Sequence, residues 1–311
     1  MSFDRTALIE ACRRYGRVAR IVVAKTKGST PREVGASMMI WTTGQSGTIG
    51  GGALEHTLTL SARRLLETGT DGLTRHALGP DMGQCCGGAV EILTEFYDLE
   101  GAQSLATDLV ARGKGPEPLA VKRLRSQMRN SGLRPEPVYR DGWMIEPICK
   151  PTRDIWIWGA GHVGRALVAV LHPLPDIKIT WVDTHQDRFP EDVPKGVSQL
   201  GAAQPAGLVS YAPNAADHLI VTYSHALDLE LCHQLLNSGF SFAGLIGSAT
   251  KWARFRKRLR DLGHGPDQIA RITCPIGRPD LGKHPHEIAI GVAGQLLAGQ
   301  THIDTLRKTH A

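Results

Sequence analysis

The chain has 311 residues, of which 41% are apolar and 21% charged. That length suits two domains of ~100–200 residues, each able to bury its own core without disulfide staples. Lysine and arginine outnumber the acids 36 to 30, a net charge of +6 that is too small to name nucleic acid as a partner. Glycine is over-represented, at 35 residues against a usual share of ~7%. The six cysteines contain no CxxC spacing, which argues against a structural zinc site. The longest apolar runs, such as 166–171, fall far short of the ~20 residues of a membrane span. The charged opening MSFDRTALIEACRRYGR lacks the apolar centre of a signal peptide, so a cytoplasmic location without membrane association is expected.

In chain order, Asp4 suits the N-cap of a helix over Arg5–Tyr15, with Leu8, Ile9 and Cys12 on one face and Gly16 as a stop. Residues 17–25 are rich in β-branched side chains and predict a buried strand, and 36–42 predict another. Residues 28–32 (GSTPR) predict a loop, and 47–52 (GTIGGG) a second loop leading into a helix over 53–66. Strands are expected over 74–78 and Ala89–Tyr97, on either side of the loop 79–88. These elements make an α+β domain over 1–100. Residues 101–153 read as a basic connector with a small hairpin, turned at Asn130-Ser131-Gly132. Between 111 and 140, eight basic residues face only Glu117 and Glu136. From 154 onward strands (154–158, 177–182, 218–223, 242–246) alternate with helices (to 171, 227–237, 250–262), and 288–297 closes the set. Such alternation predicts a Rossmann-like, doubly wound parallel sheet over 154–311, and an α/β chain as a whole.

Two segments stand out chemically. Gly159-Ala160-Gly161-His162-Val163-Gly164 joins a strand to a helix, the setting of a dinucleotide fingerprint. Gly159 permits the tight turn, Gly161 lets backbone amides approach a phosphate, and Gly164 allows close helix–strand packing. Asp183 ends the next strand, where an acid can bind a ribose hydroxyl. The same turn holds other phosphates too, so the pattern specifies the fold better than it specifies NAD(P). The second segment is the loop with Cys85 and Cys86 between Gly79, Gly83, Gln84, Gly87 and Gly88. Buried structural cysteines occupy apolar periodic positions, and these do not. Flanking glycines open access to sulfur, and nearby amides favour thiolate and bind anionic oxygens. Adjacent cysteines bridge each other poorly, and metal pairs need a spacer between ligands.

Two more glycine loops, 28–35 with Arg32 and 47–55 with Glu55, make three in one domain, which suggests a shared site for a ligand with phosphate-like groups. Glu55 also suits a first-turn carboxylate of the following helix. His225 follows the third strand of the second domain, at the carboxyl end where open α/β sheets bind ligands. Residues 251–260 carry six basic residues and no acid. With Trp252, Phe255 and Leu259 turned inward they read as a solvated face, with an acidic partner or phosphate as the other reading.

Taken in order, GSTPREVGASM, GTIGGGALE, GQCCGG, GAGHVG, TYSHALDLEL, GLIGSATKWARF and CPIGRPDLGKHPHEIAI resemble the xanthine dehydrogenase accessory protein family, XdhC, with its CoxI and CoxF relatives. The resemblance spans both domains and leaves 101–153 unsupported. It implies a dimeric chaperone with no turnover of its own. Such a chaperone binds the molybdenum cofactor in its molybdopterin form and presents it to a cysteine desulfurase for sulfuration. It then helps insert the cofactor into the large subunit of a molybdenum hydroxylase such as xanthine dehydrogenase. By motif, Cys85 and Cys86 become the candidates for contact with molybdenum or for handling sulfur, with Gly83, Gln84, Gly87 and Gly88 shaping their loop. Gly159, Gly161, Gly164 and Asp183 become the nucleotide-like or pterin-phosphate site. The chain has Tyr223 where a histidine is common in the family. An NAD(P)-dependent oxidoreductase, with His225 as acid/base, is the alternative reading. Nucleic-acid binding ranks last, because the basic stretches lack interleaved aromatics.

Overall fold

The computed structural model describes residues 2–79, 87–131, 135–148, 152–174 and 176–309, and divides into two compact units, 1–149 and 150–311. The first contains α1 (Arg5–Tyr15), β1 (Val18–Lys27), β2 (Ser37–Trp41), β3 (Gly44–Gly47), α2 (Gly52–Arg64), β4 (Gly72–Ala77), β5 (Ala89–Tyr97), α3 (Leu99–Ser104), β6 (Leu109–Gly113), α4 (Leu119–Ser131), β7 (Val138–Arg140) and β8 (Trp143–Pro147). An antiparallel sheet in the order β3-β2-β1-β5-β4 forms its centre. Central β1 explains its own near-continuous apolar run. Alternate residues Ala19, Ile21 and Val23 pack with Leu54, Leu58 and Ala62 of α2 on one face. Val18 joins α1 and α3 residues on the other face, where Val22 and Ala24 pack with Met144 of β8. At the start of α1 the Asp4 side chain accepts from the Ala7 amide, as its sequence position predicts.

The expected basic connector is instead folded structure. Strands β6, β8 and β7 form an antiparallel three-stranded sheet, and α4 covers it by packing Val121, Leu124 and Met128 on Leu109 and Ile145. Asn130-Ser131 belongs to the end of α4. The hairpin turn lies at Asp141-Gly142, where both residues take positive φ as a two-residue primed turn requires. Residues 101–149 thus belong to the first unit, and the expected boundary near 100 moves to 149. The reason is buried charge. Arg20 of β1 and Arg112 of β6 interlock with Glu95 of β5 and Glu146 of β8: Arg20 reaches Glu146 at 2.7 Å and Glu95 at 3.1 Å, and Arg112 holds both acids too. Phe3 covers the guanidinium groups, its ring centre 4.2 Å from Arg20 Cζ and 5.0 Å from Arg112 Cζ.

The second unit contains β9 (Arg153–Trp158), α5 (His162–Leu171), β10 (Ile177–Asp183), β11 (Ser198–Gly201), β12 (Asp217–Ile220), α6 (His225–Leu236), β13 (Phe242–Leu245), α7 (Ala249–Asp261), α8 (Pro266–Ala270), β14 (Ile272–Thr273) and α9 (Pro285–Thr309). All six strands are parallel, in the order β11-β10-β9-β12-β13-β14. Numbered within the unit this is 3-2-1-4-5-6, the Rossmann order, with the strand direction of progression reversing between β9 and β12. Ile155 and Ile157 point to α5 and α9, while Trp156 and Trp158 point to α6 and α7. Among the described residues no helix is long and apolar enough to cross a membrane.

The buried quartet has a measurable consequence. Burial alone would raise the Glu146 carboxyl, but the charges of Arg20 and Arg112 hold it below the usual carboxylate range. Its contribution to stability is therefore full above about pH 4.5 and is lost as pH falls toward its folded value. Glu146→Gln is expected to destabilise the first unit by about 3–5 kcal/mol in urea denaturation, because two buried guanidinium groups lose a partner. The stability of the variant is also expected to fall less steeply than that of the parent on acidification.

Candidate functional site

The first unit brings its glycine loops together. Loop 28–35 leaves the end of β1, and its neighbours press on it from two sides. A Cβ at Gly88 would overlap the Ser29 carbonyl and stand 2.6 Å from that of Lys27. A Cβ at Gly50 would stand 2.6 Å from Cγ of Pro31. The base of loop 79–88 is closed by the β4–β5 pairing of Ala77 with Ala89 and by the Leu78 amide donating to the Gly88 carbonyl at 2.8 Å. Gly87 and Gly88 are described, whereas Gly83, Gln84, Cys85 and Cys86 lie outside the described residues. Arg32 is partly exposed in loop 28–35, 3.6 Å from the Glu33 carboxylate.

Glu55 has an internal task. Its Oε2 accepts from Thr48 Oγ1 at 2.6 Å, the Gly51 amide at 2.9 Å and the Ile49 amide at 3.0 Å. These donors hold its carboxyl below the usual range despite partial burial. The loop before α2 is thus an anion nest filled by the chain's own carboxylate, and Glu55 fixes the loop rather than offering both oxygens to a ligand.

The described cysteines differ in kind from the pair expected in loop 79–88. Burial raises the Cys12 thiol to about 11, helped by Asp98, and raises Cys274 to about 11 against the pull of Lys251. Cys232 is buried and raised further. All three are free thiols, protonated at neutral pH and poor nucleophiles. Among the described residues no group of three or more His, Cys, Asp or Glu side chains could hold a metal ion.

In the second unit the glycine turn sits at the reversal of strand order. The Gly159 amide donates to the Val182 carbonyl at 2.7 Å, and the Trp181 indole donates to the Gly159 carbonyl at 2.9 Å. A Cβ at Gly159 would stand 2.7 Å from the Val221 carbonyl, and one at Gly164 would overlap the Gly159 carbonyl. Gly161 contrasts with both, since a Cβ there would meet nothing within 4 Å. As N-cap of α5 it offers no capping side chain, so the first-turn amides of α5 are left for solvent or an external anion. Asp183 is buried at 4% exposure. Its Oδ2 accepts from the Ala160 amide at 2.5 Å, and its Oδ1 from the Thr184 amide and hydroxyl. It therefore braces the glycine turn from below, a task that its position in the sequence does not reveal.

His225 opens α6 and packs edge-on against Phe255 of α7. Beside it lies a network that the sequence reading missed. Asp228, fully buried, accepts from Thr222 Oγ1 at 2.7 Å and pairs with Lys251 Nζ at 2.5 Å, and Lys251 also donates to the Ile246 carbonyl at 2.9 Å. This network ties the loops after β12 and β13 together. Its signal in the sequence is Asp228 itself, an acid on the same helical face as Leu231, Cys232 and Leu235.

Two substitutions in the turn should separate packing from binding. Gly164→Ala is expected to cost about 1–3 kcal/mol in thermal or urea denaturation, because backbone must move to admit the methyl group. Gly161→Ser, which supplies a missing cap, is expected to leave stability unchanged or raise it by up to about 1 kcal/mol.

Comparison with known proteins agrees with this geometry. Residues 155–296 match the family model described as the XdhC Rossmann domain, and residues 11–77 match that of the XdhC and CoxI family. A protein of Escherichia coli K12, called uncharacterized protein YqeB, is 25% identical over 281 residues, which are 88% of this chain and 42% of that protein. The chain thus spans less than half the length of that curated relative. A crystal structure from Bacillus halodurans, described as a xanthine dehydrogenase, matches with a TM-score of 0.71 over 95% of each chain at 20% identity, a likeness of fold. One family match falls in each compact unit, and the second covers nearly the whole parallel sheet with its glycine turn: the chain belongs to the XdhC and CoxI family.

Proposed function

We propose that this chain is a maturation factor for a molybdenum hydroxylase such as xanthine dehydrogenase. It binds the molybdenum cofactor as cargo and shields it while a cysteine desulfurase supplies sulfur. It then passes the cofactor to the large subunit of the client enzyme, acting as a cytoplasmic homodimer without turnover of its own. The observation that carries this reading is that loop 28–35 packs against Gly50 on one side and against Gly88, at the base of the loop 79–88, on the other, in a chain of the XdhC and CoxI family. Loop 79–88 bears Cys85 and Cys86.

Each group has a defined task in this reading. Cys85 and Cys86 are the groups that contact molybdenum or relay sulfur, since a thiolate is both a metal ligand and a sulfur nucleophile. Gly87 and Gly88 keep side-chain bulk away from them, and Arg32 supplies a cation beside the same loops. Glu55 keeps the neighbouring loop in shape. In the second unit, taken by itself, the uncapped first turn of α5, at Gly161–Gly164, takes the phosphate of a nucleotide or of a pterin, and Asp183 holds that turn in place. A nicotinamide-dependent oxidoreductase is the second reading, favoured by the same turn on a sheet of Rossmann order.

The test is purification from cells that make the cofactor, followed by assay of bound molybdenum and pterin. The expected result is co-purification of both, with bound molybdenum lost in Cys85→Ala combined with Cys86→Ala. Protein free of both, together with normal dehydrogenase maturation in cells carrying the double variant, would overturn the proposal. Hydride transfer from NADH or NADPH to a small substrate would replace it with the second reading.

A further inference from the structure

We infer that the second unit carries another anion site, built on α7, for a phosphate-bearing small molecule. This inference does not rest on the reading above. It starts from a cavity of about 540 Å³ whose walls include His225, Ser248, Thr250, Arg254, Lys257 and Arg258. The volume lies in the usual range for small-molecule sites, ~300–1,000 Å³. The cavity stands at the carboxyl end of the parallel sheet, since α6 and α7 rise from the ends of β12 and β13.

The charge balance of the walls decides what the cavity takes. Lys251 also lines it, but its ammonium is already committed to buried Asp228 and to the Ile246 carbonyl. Arg254, Lys257 and Arg258 remain, all exposed, and among the described residues none of their charged groups meets a carboxylate. Asp261 is the one acid in the lining, so three cations face one anion. Lys257 and Arg258 lie three and four residues after Arg254, so each repels it along the helix. The other basic residues of α7, Arg256 and Arg260, line a different cavity with Trp252 and Ile269, so the charge of the first cavity comes from Arg254, Lys257 and Arg258.

The uncharged groups match the same ligand. Ser248 Oγ accepts from the Lys251 amide at 3.2 Å, which leaves its hydroxyl proton to donate, and Thr250 adds a second hydroxyl. Guanidinium, ammonium and hydroxyl donors around a concave wall fit the oxygens of a phosphate monoester or diphosphate. A concave site of this size favours a small molecule over a nucleic acid or an acidic protein surface.

Calorimetric titration with inorganic pyrophosphate at physiological ionic strength tests the inference. Gly161→Asp serves as the background, because it caps α5 with a carboxylate and removes the glycine turn as an anion site. Pyrophosphate is expected to bind in that background. Lys257→Gln with Arg258→Gln is expected to weaken binding at least about tenfold, while Arg256→Gln with Arg260→Gln leaves it unchanged. Equal affinity in the two double variants would overturn the inference. Loss of binding through Gly161→Asp alone would overturn it as well, and would assign the anion to the glycine turn. Tighter binding of a poly-glutamate peptide than of pyrophosphate, lost with Lys257→Gln and Arg258→Gln, would replace the small molecule with protein docking. Molybdenum and pterin loading is read separately, so failure of the maturation proposal leaves this outcome unaffected.

Discussion

Backbone lies against backbone at the two places where this protein's candidate sites are built, and no side chain fits at either. A Cβ at position 164 would overlap the carbonyl of Gly159, and one at position 88 would overlap that of Ser29. The first approach lets α5 start directly above the end of β9, so that its first-turn amides point out of the reversal in strand order. The second seats the base of loop 79–88 on the loop that follows β1. Both are contacts of the dense, directional kind in which one methyl group is felt. At these two positions glycine is structural before it is chemical: it lets backbone segments cross where a Cβ would not fit.

Charge is distributed on a similar logic. Net basicity suggests an outward electrostatic role, yet the fold consumes part of it internally. Arg20 and Arg112 disappear into the quartet with Glu95 and Glu146, and Lys251 disappears into the network of Asp228 and Thr222. In each case burial of a cation is tolerated because a carboxylate and further hydrogen bonds surround it. The quartet also decides which segment belongs to which unit, because two of its four members come from the part of the chain that sequence composition marks as a connector. Charge left over after this internal pairing is the charge available to ligands, and on α7 it divides between two cavities, Arg254, Lys257 and Arg258 lining one and Arg256 and Arg260 the other.

Legibility in the sequence followed periodicity. Helices α1, α2, α5 and α7 and strands β1, β5, β9 and β10 carry apolar patterns of period 3.6 or 2, or β-branched runs, and they lie within a few residues of where those patterns place them. Strands β3 (GQSG) and β11 (SQLG) have no such pattern, since as edge strands they bury little and are held by ladder bonds to a neighbour. Helix α4 did carry a pattern, Val121, Leu124 and Met128, but dense arginine and lysine hid it. In the sites, the glycines were legible as glycines, whereas the internal duties of Glu55 and Asp183 were not, because a carboxylate in a loop looks the same whether it faces a ligand or an amide.

The sequence by itself determined the class of each unit and the glycine-rich loops, because local spacing of glycines and apolar residues encodes turns, helices and strands without reference to the rest of the chain, and its motifs carried the resemblance to the family. Only the tertiary structure decided which charges are spent and which are free. Arg20 meets Glu146, and Asp228 meets Lys251, across separations that no local pattern encodes. An ionisable side chain acquires its role from whatever folding brings within hydrogen-bond distance of it.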